Sequence, residues 1–167
     1  MKVESFALVA SILVFGLAAP IWSQEKPAPK VPEPQEMEVL GVAMDPTSQM
    51  PLVFLRGKRD KRELTMGIGA FEAQAIAIPL QKVKPPRPFT HDLMIHLMGK
   101  LKATLKKVAI VDLKGNTYYA LLYLEFQGAE LTADSRPSDA IALALRAGVP
   151  ILVEDKVFEK AQGIMTR

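Results

Sequence analysis

The chain has 167 residues, a formal net charge of +3, 23% charged residues and not one cysteine. Thiol catalysis, disulfide stapling and a lipid-modified cysteine anchor are therefore excluded. The mild positive charge permits an anionic partner such as nucleic acid without demanding one.

Residues 1–23 open on Lys2 and continue through the apolar run Phe6–Ala19, the composition of an export signal. The run falls short of the roughly 20 residues of a spanning helix, and Pro20–Ser23 would extend it into an uncleaved membrane anchor. The expected location is therefore periplasmic or secreted, with membrane anchoring as the alternative. Residues 24–36 carry Pro27, Pro29, Pro32 and Pro34 among lysines and glutamates and read as an extended linker. Residues 37–167 have the length of one domain with one core.

Within that domain the pattern predicts strands over Met37–Met44, Leu52–Leu55 and Glu63–Ile68, the last two joined by a basic hairpin with Gly57 as its turn residue. A helix follows over Ala70–Leu80. After a stiff loop rich in Pro, Thr90 is the expected N-cap of a second helix, His91–Leu101. Two longer strands, Thr104–Leu113 and Thr117–Phe126, are joined at Gly115-Asn116. Ser135–Ala140 reads as a helix start rich in caps, and Gly148 ends that helix. Pro150–Val153 is a short strand and Glu154–Gln162 a last helix. Strands joined by hairpins, with helices segregated between them, argue for an α+β domain. The expected sheet is mixed and largely antiparallel, with about four helices packed against it.

Three groups of residues bear on chemistry. Asp139 and Glu72 each have apolar residues at i+3 and i+4, and a carboxylate on such a face needs a partner, a hydrogen bond or a metal. Capping or pairing with Arg136 or Arg87 would satisfy either one. His91-Asp92, at a helix start, fits a general base or a metal ligand, or equally a dipole-complementing Asp beside a bystander His. Basic residues cluster on the Arg56–Arg62 hairpin, in the Lys82–Arg87 loop and around Lys100–Lys107. They would form a phosphate-tracking surface if they faced one way, or a solvated edge that discourages strand pairing. No P-loop, dinucleotide fingerprint or nucleophile elbow is present.

Pro51–Leu55, Gly67-Ile68-Gly69 with Glu72-Ala73, Arg87-Pro88-Phe89-Thr90-His91-Asp92-Leu93, Thr117–Ala120 and Arg136–Ala142 occur in this order. Together they resemble the bifunctional nuclease family, small domains with DNase and RNase activity. Gly67 stands where the family usually has a bulky residue. The resemblance points to Glu72, Arg87, Thr90, His91, Asp92, Asp112, Asp134, Arg136, Ser138 and Asp139. It implies hydrolysis of phosphodiester bonds in DNA and RNA with little sequence preference. On that reading Glu72, Asp92, Asp134 and Asp139 are candidate ligands for Mg²⁺ or Mn²⁺. His91 is the base and Arg136 the phosphate clamp, while Arg87, Lys58, Arg59 and Lys106 are nucleic-acid contacts. A homo-oligomer stays open. The alternative of a different class is a non-catalytic binding or assembly module of the cell envelope, in which the same polar residues are caps and ion pairs.

Overall fold

The computed structural model of the protein describes residues 33–165, so the expected export signal and most of the expected linker lie outside the described residues. Two three-stranded antiparallel meanders make up most of the sheet. The first comprises β1 (Gln35–Met44), β2 (Pro51–Gly57) and β3 (Glu63–Gly67). The second comprises β4 (Ala103–Lys114), β5 (Thr117–Phe126) and β6 (Ala129–Ser135). Helices α1 (Ala70–Leu80) and α2 (Thr90–Lys100) connect them. Helix α3 (Pro137–Ala147) then leads from β6 at one edge back to β7 (Ile151–Val153) at the centre, and α4 (Asp155–Met165) follows.

The three residues of β7 stitch the meanders into one mixed seven-stranded sheet, ordered β3-β2-β1-β7-β4-β5-β6. β7 runs antiparallel to β1, with Val153 opposite Gln35, and parallel to β4, with Ile151 opposite Val108. A parallel pair needs a long crossover, and the segment β5–β6–α3 supplies it. The result is the single α+β domain that the hairpins and segregated helices imply.

Most predicted elements stand within a residue or two of their expected ends, with informative departures. β1 takes in Gln35 and Glu36, which composition assigns to the linker; Gln35 is buried. The hairpin after β2 turns through Lys61, at φ 61°, and not through Gly57. Gly57 is needed there because a Cβ would collide with Asp60 Oδ1 and crowd Gln35. At Gly67 a Cβ would crowd Met50, whose side chain fills the space a bulkier residue would claim.

β6 has no counterpart among the predicted strands. Its sequence, AELTADS, alternates Ala129, Leu131 and Ala133 with polar residues, but none of its residues is buried, as an edge strand allows. The signal for it lies in the preceding loop. Gln127-Gly128 has positive φ at both positions, like Gly115-Asn116 before β5, and this is the signature of a two-residue type I′ hairpin.

α3 is the buried helix. Pro137 occupies its first position, where the missing N–H costs nothing, and Gly148 closes it in the left-handed conformation at φ 67°. Ala140–Ala144 are all buried and join one core with Val108, Ile110 and Val153. Ile141→Ala should therefore lower unfolding stability by about 2–5 kcal/mol. In denaturant titration the midpoint should fall while the slope is unchanged.

Candidate active site

Three helices begin at one place. The first turns of α1, α2 and α3 all line a cleft of about 1010 Å³ walled on its other side by β6. In each helix the third residue is acidic: Glu72, Asp92 and Asp139. Carboxylates at that position complement the partial positive charge of a helix start. Their different fates follow from the cations they meet.

Asp139 carries the centre of the site. His91 Nε2 lies 3.0 Å from its Oδ1. Arg136 donates from Nε to Oδ2 at 2.6 Å and from Nη2 to Oδ1 at 3.1 Å. Arg136 also reaches across with Nη1 to Glu72 Oε1 at 2.9 Å. Burial pushes the Asp139 carboxyl up, but the hydrogen bonds and charge of Arg136 and the bond from His91 outweigh it and hold the group below its ordinary value. The paired Asp139 in turn raises the Arg136 guanidinium. Despite the abundance of candidate caps in Ser135–Ala140, no side chain caps α3; Arg136 and Asp139 instead bond each other and reach across to Glu72 of α1 and His91 of α2.

Glu72 is placed by a glycine. An added Cβ on Gly69 would run into Glu72 Oε2, so only glycine lets this carboxylate fold back while meeting Arg136. Asp134, on β6 opposite Leu121, stands exposed at the cleft rim, and its carboxylate makes no hydrogen bond or ion pair among the described residues.

Asp92 departs from its expected role. Its Oδ2 accepts the Phe89 N–H at 2.9 Å, and its Oδ1 meets Arg146 Nε at 2.6 Å. It therefore faces away from the cleft and does the capping expected of Thr90, which is the first helical residue instead. Arg146 is the residue that sequence reasoning missed. Its side chain is only 7% exposed, and its Nη1 donates to the carbonyls of Ala75 in α1 and Ala142 in α3. One guanidinium thus ties all three helices together. The only sequence signal is an arginine in the last turn of an otherwise apolar helix.

The expected metal set does not assemble. Among the described residues, no three His, Asp or Glu side chains gather as a metal-holding group. Glu72 and Asp139 share Arg136, Asp92 is committed to Arg146, and Asp134 stands alone. As arranged, these residues do not fit a resident Mg²⁺ or Mn²⁺ ion.

The basic clusters do not converge on the cleft either. Lys58 pairs with Glu36 and lies beside Gly148–Pro150, at the far end of α3, about 16 Å along an 11-residue helix. Arg59 is on the same loop. Lys106 pairs with Glu125 and alternates with the buried Leu105, so it points off the core face. Arg56 and Arg62 are likewise paired with acids. Arg87 is exposed and without an ion pair among the described residues, in the loop that leads into α2. Asp112 lies apart from the site on β4, held by Lys160 and Lys114, with its carboxyl pulled down to about 2.

Burial pushes the Asp92 carboxyl up, and the Phe89 N–H and Arg146 bonds bring it below its ordinary value. A depressed carboxyl stabilises the fold fully above its unfolded value near 4, and that contribution is lost as pH falls through the folded value. Wild type should therefore be more stable than Asp92→Asn at pH 6. The gap should close below about pH 4, as followed by denaturant midpoints across pH.

The family model described as bifunctional nuclease domain matches residues 53–166. The chain is 43% identical over 126 residues to the Uncharacterized protein MT1877 of Mycobacterium tuberculosis (strain CDC 1551 / Oshkosh), covering 75% of each. It is 29% identical over 103 residues to Bifunctional nuclease 1 of Oryza sativa subsp. indica and to Bifunctional nuclease of Oryza minuta. That match takes in 59% of this chain and 31% of each rice protein. The matched span holds all three converging helices and the Arg136–Asp139–His91 network, and the chain belongs to the bifunctional nuclease domain family.

Proposed function

We propose that this chain is a phosphodiesterase of the nuclease type, hydrolysing DNA and RNA at the α1–α2–α3 cleft. The observation that carries the reading is the single carboxylate of Asp139 shared between His91 and Arg136. A neutral His91 that donates from Nε2 to Asp139 keeps its lone pair on Nδ1, the nitrogen suited to act as base. Asp139 fixes the tautomer and stabilises the imidazolium once it forms, as the orienting carboxylate does in other His–Asp pairs.

Arg136 supplies the charge. Its guanidinium has five N–H donors, and Nε, Nη1 and Nη2 each commit one to Asp139 or Glu72. One donor on each terminal nitrogen is left, and the side chain is 65% exposed. A phosphodiester oxygen pair fits such a planar fork. The three helix starts add partial positive charge at the same place.

In the step itself, His91 Nδ1 takes a proton from water as the water oxygen attacks phosphorus. Arg136 offsets the charge gathering on the phosphoryl oxygens. The bond from phosphorus to the leaving sugar oxygen breaks, and that oxygen takes a proton from the imidazolium or from solvent. Glu72 holds Arg136 in position, and Arg87 extends the contact along the backbone. No step passes through a metal, because among the described residues no three His, Asp or Glu side chains gather as a ligand set.

His91→Ala should lower kcat by about 10²–10⁴-fold on single-stranded and duplex substrates, with the melting temperature nearly unchanged. Wild-type activity should persist in EDTA. If hydrolysis needs Mg²⁺ or Mn²⁺, the His91 reading fails. If wild type hydrolyses nothing and Asp139→Asn only lowers the melting temperature, the binding-module alternative stands.

Gly69→Ala has a separate signature. Its backbone, at φ −74° and ψ 162°, suits any residue, so the fold should tolerate the change. The new Cβ should displace the Glu72 carboxylate. Gly69→Ala and Glu72→Gln should therefore reduce kcat/KM to a similar level, and the double variant should be no worse than either. Additive losses would separate the two residues.

A further inference from the structure

Charge alone is a poor explanation for substrate binding at this cleft. Among the described residues lining it, Arg136 is the one permanent cation, against the carboxylates of Glu72, Asp134 and Asp139. A protein that grips duplex backbone does so with many lysines and arginines along its track. Here Arg56, Lys58 and Lys106 are paired with acids away from the cleft, and Arg87, unpaired among the described residues, is not among those lining it.

The cleft is instead apolar and oversized for a phosphate. Its volume lies at the upper end of the roughly 300–1,000 Å³ of ligand pockets. Ala75, Ile78 and Leu143 contribute to its lining. Two aromatic rings stand at it uncovered. Phe71, one residue before Glu72, is 85% exposed, and Phe89, two residues before His91, is 41% exposed. A phenylalanine gains nothing for the fold from such exposure. Both rings belong to the segments that deliver Glu72 and His91, so they flank the reacting centre.

We infer that the cleft takes unpaired nucleotides of single-stranded nucleic acid, held chiefly by stacking of bases on Phe71 and Phe89 around the phosphate at Arg136. In a duplex the faces of the bases are covered by their neighbours, so these rings have nothing to meet. In a single strand every base offers a face, and each aromatic contact contributes about 1–3 kcal/mol without regard to sequence. Little sequence preference is then a consequence of the recognition chemistry. This inference rests on the placement of the phosphodiester at Arg136 proposed above.

The test uses the full chain with His91→Ala to stop turnover, and follows a fluorescein-labelled oligo-dT by anisotropy. Oligo-dT should bind more tightly than the same strand annealed to oligo-dA. Added Phe71→Ala or Phe89→Ala should weaken single-strand binding about 5- to 150-fold, and Phe71→Trp should retain it. The slope of log K against log salt should stay shallow, near −0.7 to −1.4 for one or two phosphates.

Duplex binding as tight as single-strand binding, a steep salt slope, or unchanged binding by both alanine variants would each overturn the inference. Loss of a dimer on Phe71→Ala, read by light scattering, with binding unchanged, would assign the ring to a second copy of the chain instead. The two proposals separate cleanly. Hydrolysis by wild type that is indifferent to Phe71 and Phe89 leaves the nuclease reading and removes this one. Single-strand binding that depends on Phe71 in a chain with no hydrolysis does the reverse.

Discussion

The site depends on a buried guanidinium that never touches the cleft. α2 has no fully buried residue of its own; Ile95 and Met98 pack against the core only half-buried, so packing holds it less firmly than it holds α3. Arg146 supplies the further hold, with one bond to the Asp92 carboxylate at the start of α2 and bonds to carbonyls of α1 and α3. A charge so little exposed is costly unless its donors are met; Nε and Nη1 are met only when all three helix segments are in place, while Nη2 is buried without a partner among the described residues. Satisfying Arg146 therefore sets where α2 begins, and His91 is one residue before Asp92. The 3.0 Å approach of His91 to Asp139 is a consequence of an ion pair on the far side of the helix.

The sheet prepares this arrangement from below. β7 pairs with both β1 and β4, so the residues after α3 are fixed at the centre of the molecule. The residues before α3 are fixed at its edge by β6. Helix α3 is thus held at both ends, and Arg136, its N-cap, is presented at a defined place between Glu72 and the β6 rim. A helix attached at one end would carry Asp139 as a mobile group; one spanning from edge to centre carries it as part of the scaffold.

Much of this was legible in the residue pattern. The strands other than β6 follow from their apolar runs, α1 from its richness in Ala and Ile, and the Gly148 stop of α3 from glycine's access to positive φ. Glu72, His91, Asp134, Arg136 and Asp139, singled out by their residue types and by family resemblance, do line one cleft. What was not legible is instructive. β6 has only Ala129, Leu131 and Ala133 as apolar residues and none is buried, so its place depends chiefly on hydrogen bonds to β5. Asp92 and Arg146 lie 54 positions apart, and no local pattern joins them; only the packing of α2 on α3 does. The expectation of four metal-binding carboxylates counted oxygen donors but not the arginines that take up Glu72, Asp92 and Asp139.

Three helices with an acid at the same position show what separates a carboxylate closed to ligands from one open to them. Asp92 and Asp139 have equivalent places in their helices, and both are held below the ordinary carboxylate value. The difference lies in the cation. Arg146 is 7% exposed, with its bonds directed to the three helices, so the Asp92 pair is closed to any ligand. Arg136 is 65% exposed and keeps donors in hand, so the pairs it makes with Asp139 and Glu72 remain open to one. Desolvation explains why the two arginines need opposite surroundings. A closed pair gains from low dielectric and loses by hydration, whereas a pair that must admit a phosphate has to leave the guanidinium reachable and accept a weaker bond. The same sequence position thus holds an ion pair closed to ligands in one helix and one reachable from the cleft in another, according to how far its partner stands from water.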